Sequence, residues 1–141
     1  MKQAVMLSVC GRQAYQDQEP DVIELVTEGT MEYLDGGWNI SYEESDLTGL
    51  GGVVTTFRIE PEQVVLSRTG KLNSQMIFRE GTTHDSLYQA DFGALMISVT
   101  ATKISADLSS EGGVIDLVYR IAIEQSAMGT VEYHLDIKPK T

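Results

Sequence analysis

The sequence predicts an all-β chain, a single antiparallel up-and-down barrel of about eight to ten strands. Three observations predict it. Apolar residues recur with a period of two along most of the chain. Turn signals rich in glycine, proline and aspartate separate the alternating runs. No stretch sustains the helical period.

The elements follow in order. Val5, Leu7 and Val9 alternate with smaller or polar neighbours and mark a strand over 4–12. A polar link, Gln13–Pro20, leads to a second strand over 21–33. After "DGG" at 35–37, Trp38, Ile40 and Tyr42 alternate with Asn39, Ser41 and Glu43 along 37–44. Val53, Thr55, Phe57 and Ile59 do the same against Val54, Thr56 and Arg58 along 52–59. "EPEQ" at 60–63 turns the chain into 63–68, and "TGK" at 69–71 into 74–79. "EG" at 80–81 introduces 82–89, with 93–102 next. The pattern then groups 103–108 with 114–123 around "EGG" at 111–113, the join near 102–104 being a bend rather than a turn. Ile115, Leu117, Tyr119, Ile121 and Ile123 give that segment the clearest apolar face. A short helical turn near Glu124–Met128 precedes "MG" and a last strand over 130–137, with Val131, Tyr133, Leu135 and Ile137 on one face. Consecutive short antiparallel strands need covered edges, and closing the sheet on itself removes the edges altogether. A two-sheet sandwich is the alternative that local patterning does not separate from a barrel.

With 141 residues, 42% of them hydrophobic and 22% charged, the chain has the length and composition of a single domain with a real core. Its formal net charge of -11 opposes phosphate backbones and anionic bilayers, so no nucleic-acid or membrane partner is expected. Cys10 is the single cysteine, which excludes an intrachain disulfide and a cysteine-rich metal site. The opening "MKQAVMLSVCGR" is too short in its apolar part, Ala4 to Cys10, for a cleaved signal, and Val9 is bulky for a processing site. No apolar run approaches membrane-spanning length, and a cytoplasmic protein is expected.

One residue breaks the apolar logic. In "VVLSRTG" at 64–70, Val64, Leu66 and Arg68 share a strand face. A hairpin around "EPEQ" that pairs Ile59 with Val64 sets Phe57 opposite Leu66 and Thr55 opposite Arg68. The next hairpin sets Leu66 against Met76 and Val64 against Phe78. Arg68 then looks into the barrel near one end, and it stays charged at any working pH. An unpaired buried guanidinium costs several kcal/mol, so it needs partners. Two readings stay open. Arg68 is a structural plug bonded to carbonyls, Thr55 and tyrosine hydroxyls, or it anchors an anionic or carbonyl-bearing ligand in an apolar cavity walled by Tyr42, Tyr88 and Tyr119.

Other chemistry is weak. His84, His134 and Cys10 are far apart in sequence and are expected to be far apart in space, so no metal site or cofactor is expected. His134, between Glu132 and Asp136, reads as solvated. "HDS" at 84–86 holds catalytic residue types without a Gly-x-Ser-x-Gly elbow, and the two hairpin registers place His84 inside or outside. "GLGG" at 49–52 lacks the lysine and helix of a phosphate loop and reads as a strand-entry loop. Glu43 and Glu44 point to opposite faces of a regular strand, and either is expected to meet Arg68 only if that strand bulges. Arg58 and Arg79 read as solvated surface.

The segments "LTGLGGVVTTFRIEPEQVVLSRTGKLNSQMIFREG", "HDSLY", "FGAL" and "GGVIDLVYRI" resemble the YwiB-like proteins. The likeness spans about 38 to 137, and "V-x-L-x-R-x-G … N-S-Q-M-x-F" is its most specific part. The resemblance implies a calycin-like, lipocalin-type β-barrel from small bacterial proteins of unknown function, and it supplies no activity. "GGW" at 36–38 also matches the Gly-x-Trp of lipocalins, though Trp38 follows two candidate strands and reads as core.

Two functions are therefore carried forward. The first is a cytoplasmic barrel that binds a small apolar or amphipathic ligand, with Arg68, Thr55, Tyr42, Tyr88 and Tyr119 at the site and no catalytic residue. The second is a non-enzymatic interaction or regulatory module whose barrel is filled with side chains. The two differ in whether a void lies near Arg68.

Overall fold

The alternation resolves into ten strands: β1 Gln3–Tyr15, β2 Asp21–Leu34, β3 Gly37–Glu43, β4 Val53–Glu60, β5 Gln63–Gly70, β6 Asn73–Phe78, β7 Thr83–Ala90, β8 Gly93–Ser109, β9 Gly112–Ile123 and β10 Ala127–Pro139. The computed structural model describes residues 2–15, 19–44, 51–71, 73–90, 93–124 and 127–140, by backbone alone at 88–90 and 127–128. Among the described residues there is no helix, and so none long and apolar enough to cross a membrane.

Each strand pairs antiparallel with its neighbours in sequence. The ribbon closes where β1 meets β10, from Val5 opposite Pro139 to Tyr15 opposite Gly129. The β4–β5 and β5–β6 registers are those expected from the hairpin turns: Ile59 faces Val64, Thr55 faces Arg68, and Leu66 faces Met76. The loosest seam lies between β6 and β7, where the described ladder holds only Asn73–Gln89 and Ser74–Tyr88.

The two ends of the barrel differ. The strand ends joined by 35–36, 61–62, 79–82 and 110–111 lie at one end, and the remaining strand ends lie at the other. The tight end is set by local turn chemistry. Asp35 (φ 53°) and Gly36 (φ 80°) both adopt the positive φ that a two-residue hairpin turn of matching twist requires. Beneath these turns the interior is filled, with Leu7, Ile40, Phe57, Leu66, Phe78, Ile115, Leu117 and Leu135 fully buried.

Several boundaries differ from the sequence pattern for physical reasons. Residues 103–108 belong to β8, not to the segment of 114–123, because a bulge between Ala101 and Lys103 carries one strand through. The extra residue shifts the phase: Ile97, Val99 and Ala101 face inward before it, Ile104 and Leu108 after it. That phase change is what split the strand in the sequence. Gln13, Ala14 and Tyr15 extend β1, since β10 offers them partners in Val131, Thr130 and Gly129. Ala127 and Met128 start β10 rather than a helical turn, and Glu124 turns with a φ of 51°. Trp38 sits half-buried at the core's margin, edge-on to Tyr33 with ring centroids 5.0 Å apart. Arg58 is no solvated residue: it donates to the carbonyls of Leu34 (2.8 Å) and Asp35 (3.1 Å) and braces the β2–β3 turn.

Phe57 lies at the centre of the filled half, fully buried. Phe57→Ala is expected to cost about 3–5 kcal/mol in a denaturant melt, with the midpoint lowered and the slope unchanged. A loss below about 1 kcal/mol would show that this half is loosely packed.

Candidate functional site

The filled half ends at a layer of polar residues, and strand alternation builds that layer. Two positions beyond Ile40 on β3 comes Tyr42, and two beyond Leu66 on β5 comes Arg68. Cross-strand pairing then aligns a row, with Tyr42 opposite Thr55, Thr55 opposite Arg68, Arg68 opposite Ser74 and Ser74 opposite Tyr88. Four of the five expected site residues thus lie in register on one ring of the barrel. The side chain of Tyr88 lies outside the described residues. The fifth, Tyr119, comes from β9 on another part of the wall and packs on Phe78 with ring centroids 4.5 Å apart.

Above this layer, toward the end with connections 16–20 and 44–52, is a cavity of about 480 Å³. Arg68, Tyr42, Glu44, Tyr119 and Tyr133 line its polar floor, and apolar side chains such as Leu25, Ile97, Ile121 and Val131 form its walls. Arg68 is the one cation among the described lining residues, and Glu44 and Asp21 are the anions.

The arginine is held but not saturated. Its Nη2 donates to the Tyr133 hydroxyl at 3.0 Å. Its Nε is buried and has no hydrogen-bond partner, and the same is true of the Ser74 hydroxyl opposite it. Tyr133 is set by both its neighbours. Its ring packs edge-on to Phe57 with centroids 5.9 Å apart, and it lies over Gly11, where a Cβ would stand 3.2 Å from the ring. Tyr15 covers Gly129 in the same way, where a Cβ would come within 2.6 Å of its ring. The glycines leave room for the tyrosines that line the cavity.

Glu44 continues the alternation one step past β3. It is buried, and its Oε2 accepts the Thr55 hydroxyl at 2.5 Å. Tyr42 also donates to Glu44. Thr55 is fully buried and its hydroxyl is directed to Glu44, so it fixes the carboxylate from behind rather than lining the cavity.

Electrostatics follow from this packing. Burial lowers the Arg68 pKa, but the Tyr133 and Tyr119 phenols, the bond to Tyr133 and the Glu44 carboxylate outweigh it, and the net shift is upward. Burial, and then the Glu44 charge, pushes the Tyr42 phenol well above its ordinary value. Burial does the same to Tyr119, with Arg68 opposing.

Several sequence readings are corrected here. Glu44 reaches the inward face without a bulge, because it is two residues from Tyr42 and both face in; that spacing was the signal for it. Tyr133 was likewise visible as one of an inward stripe with Val131 and Leu135, but its approach to Arg68 depends on a fold-wide closure that no local pattern shows. Cys10 and His134 are direct cross-strand neighbours on the outer face, not distant. His134 is exposed as expected, and its Nδ1 lies 2.6 Å from Asp116 Oδ1. No group of described residues could hold a metal ion. His84 pairs with Val99 yet is exposed, and Asp85 accepts from Ser98 Oγ at 2.6 Å, so "HDS" assembles no triad. Residues 49–50 of "GLGG" lie outside the described residues, and Gly51 and Gly52 turn into β4.

Comparison with known proteins agrees with the resemblance seen in the sequence. Residues 7–137 match the family described as a domain of unknown function, DUF1934. The uncharacterised β-barrel protein YwiB of Bacillus subtilis (strain 168) is 28% identical over 121 residues, 84% of this chain and 83% of that protein. The crystal structure of the ywiB protein from Bacillus subtilis has the same fold, with a TM-score of 0.82 at 24% identity over 99% of this chain and 94% of that one.

Two outcomes are expected. In the folded chain Tyr42 and Tyr119 keep their protons where an unfolded chain, with phenols near 10.0, releases them. Their contribution to stability is therefore intact below pH 10 and falls as the pH rises above it. Tyrosinate absorbance from these two should appear only together with unfolding; a titration of all six tyrosines near pH 10 in the folded state would contradict this. Tyr133→Phe strands the Arg68 Nη2 and should cost about 1–3 kcal/mol in a thermal or urea melt, while Tyr33→Phe, on an exposed side chain, should cost about 0.5 kcal/mol or less.

Proposed function

The chain belongs to the DUF1934 family, which carries no assigned activity, and we propose its function from the site: a non-enzymatic barrel that binds a small apolar or amphipathic molecule in its interior. The observation that carries this reading is the cavity above Arg68. Its volume of about 480 Å³ falls within the range of small-molecule sites, about 300–1,000 Å³. Its composition also has the usual form of such sites, mostly apolar walls with a few placed polar groups. Arg68 is the anchor, Tyr42 and Tyr119 shape the floor, Thr55 holds Glu44, and Tyr88 completes the row on β7.

One feature supports binding over a filled interaction module. Such a module needs a packed interior throughout, whereas the described residues leave a cavity above the Arg68 layer. A closed barrel with a cavity at one end suits carriage of a ligand. The outer faces of β1 and β10, with Ser8, Arg12, Glu132, His134 and Lys138, suit water on the outside.

Native mass spectrometry of freshly purified protein tests the reading. A co-purifying small molecule, or uptake of the neutral dye Nile red by the emptied protein, is expected. Arg68→Met, paired with Glu44→Gln so that no lone carboxylate is left buried, should keep the fold and lower retention about tenfold. A bare mass with no dye uptake would remove the proposal, and a double variant that cannot fold would make Arg68 a structural plug.

A further inference from the structure

Resting on that reading, we propose that the ligand enters head first and that its head group is an uncharged oxygen acceptor, a carbonyl of the amide, ester or ketone kind, rather than a carboxylate or other anion.

Two observations lead there. The first is a pair of orphan donors. Arg68 Nε and Ser74 Oγ are both buried without a hydrogen-bond partner, and their residues face each other across β5 and β6 on the inward side. Directly opposed residues on one face carry their Cβ atoms about 4.5–5.5 Å apart. Arg68 lines the cavity with Ser74 behind it, so an acceptor oxygen at the floor meets the guanidinium first. A guanidinium with unmet donor capacity favours a ligand that supplies this oxygen.

The second observation is the charge balance. An arginine at the base of an apolar cavity ordinarily suggests an anionic head. Here a carboxylate, Glu44, already shares the floor with the guanidinium. Glu44 cannot move aside freely, since it accepts bonds from Thr55 and Tyr42. Asp21, which is exposed, adds a second negative charge that solvent screens. The described lining thus carries two anions against one cation, and a chain with a net charge of -11 surrounds it. An incoming anion would be buried uncompensated, at a cost of several kcal/mol. A carbonyl accepts from the guanidinium and leaves the balance untouched. The walls above the floor, Leu25, Ile97, Ile121 and Val131, then receive an apolar tail that points toward the mouth.

The experiment compares two probes with the same chain, decanamide and decanoate, at pH 8 by displacement of Nile red from the full protein. Decanamide is expected to bind at least about tenfold more tightly than decanoate. Glu44→Gln frees the guanidinium charge and should raise decanoate affinity about tenfold relative to decanamide. Decanoate binding as tightly as decanamide to the parent protein, or a probe ratio unmoved by Glu44→Gln, overturns the inference and leaves the binding reading standing. Failure of Nile red itself to enter overturns both.

Discussion

The structure turns on a permanent positive charge placed on an apolar stripe. Strand alternation leaves Arg68 no choice of side: two residues after Leu66, it must face the same interior. Its charge cannot be shed, so the fold has to supply partners from elsewhere in the chain. It does so with Tyr133, 65 positions away in sequence, and with Glu44 across the floor. These three residues come from the β3 edge, β5 and β10, so the barrel must close before the arginine is accommodated. The polar layer is in this sense a check on correct closure as well as a floor.

That layer also divides the barrel. Below it, large aliphatic and aromatic side chains fill the space under tight turns. Above it, the inward positions on β1 and β10 include Gly11 and Gly129, and the rings of Tyr133 and Tyr15 lie over them. Bulk is thus moved out of two strands and into tyrosines whose hydroxyls and faces border the cavity. Packing density and chemistry change together at one level of the barrel, and that coincidence argues for a ligand better than either feature alone.

The fold was largely legible in the sequence, and the site only partly so. Period-two alternation and hairpin chemistry are local, and they placed Thr55 opposite Arg68 and Leu66 opposite Met76 correctly. They failed where a local rule was broken or a long-range one was needed. The bulge after Ala101 changed the inward phase and divided one strand into two. Glu44 was joined to Arg68 only through a bulge, which the strand does not need, because its spacing of two from Tyr42 already turns it inward. Tyr133 and Ser74 were visible as inward positions, but β1–β10 closure sets the place of the first, and the second mattered only once its hydroxyl was seen to be unmet.

The most direct test of this account is the Nε–H resonance of Arg68 in nitrogen-15 NMR, assigned by its absence in Arg68→Met. A resonance protected from solvent exchange in the free protein, which shifts when a ligand fills the cavity, is the expected result. An Nε–H in fast exchange with water, insensitive to any occupant, would show a guanidinium facing solvent and would contradict it.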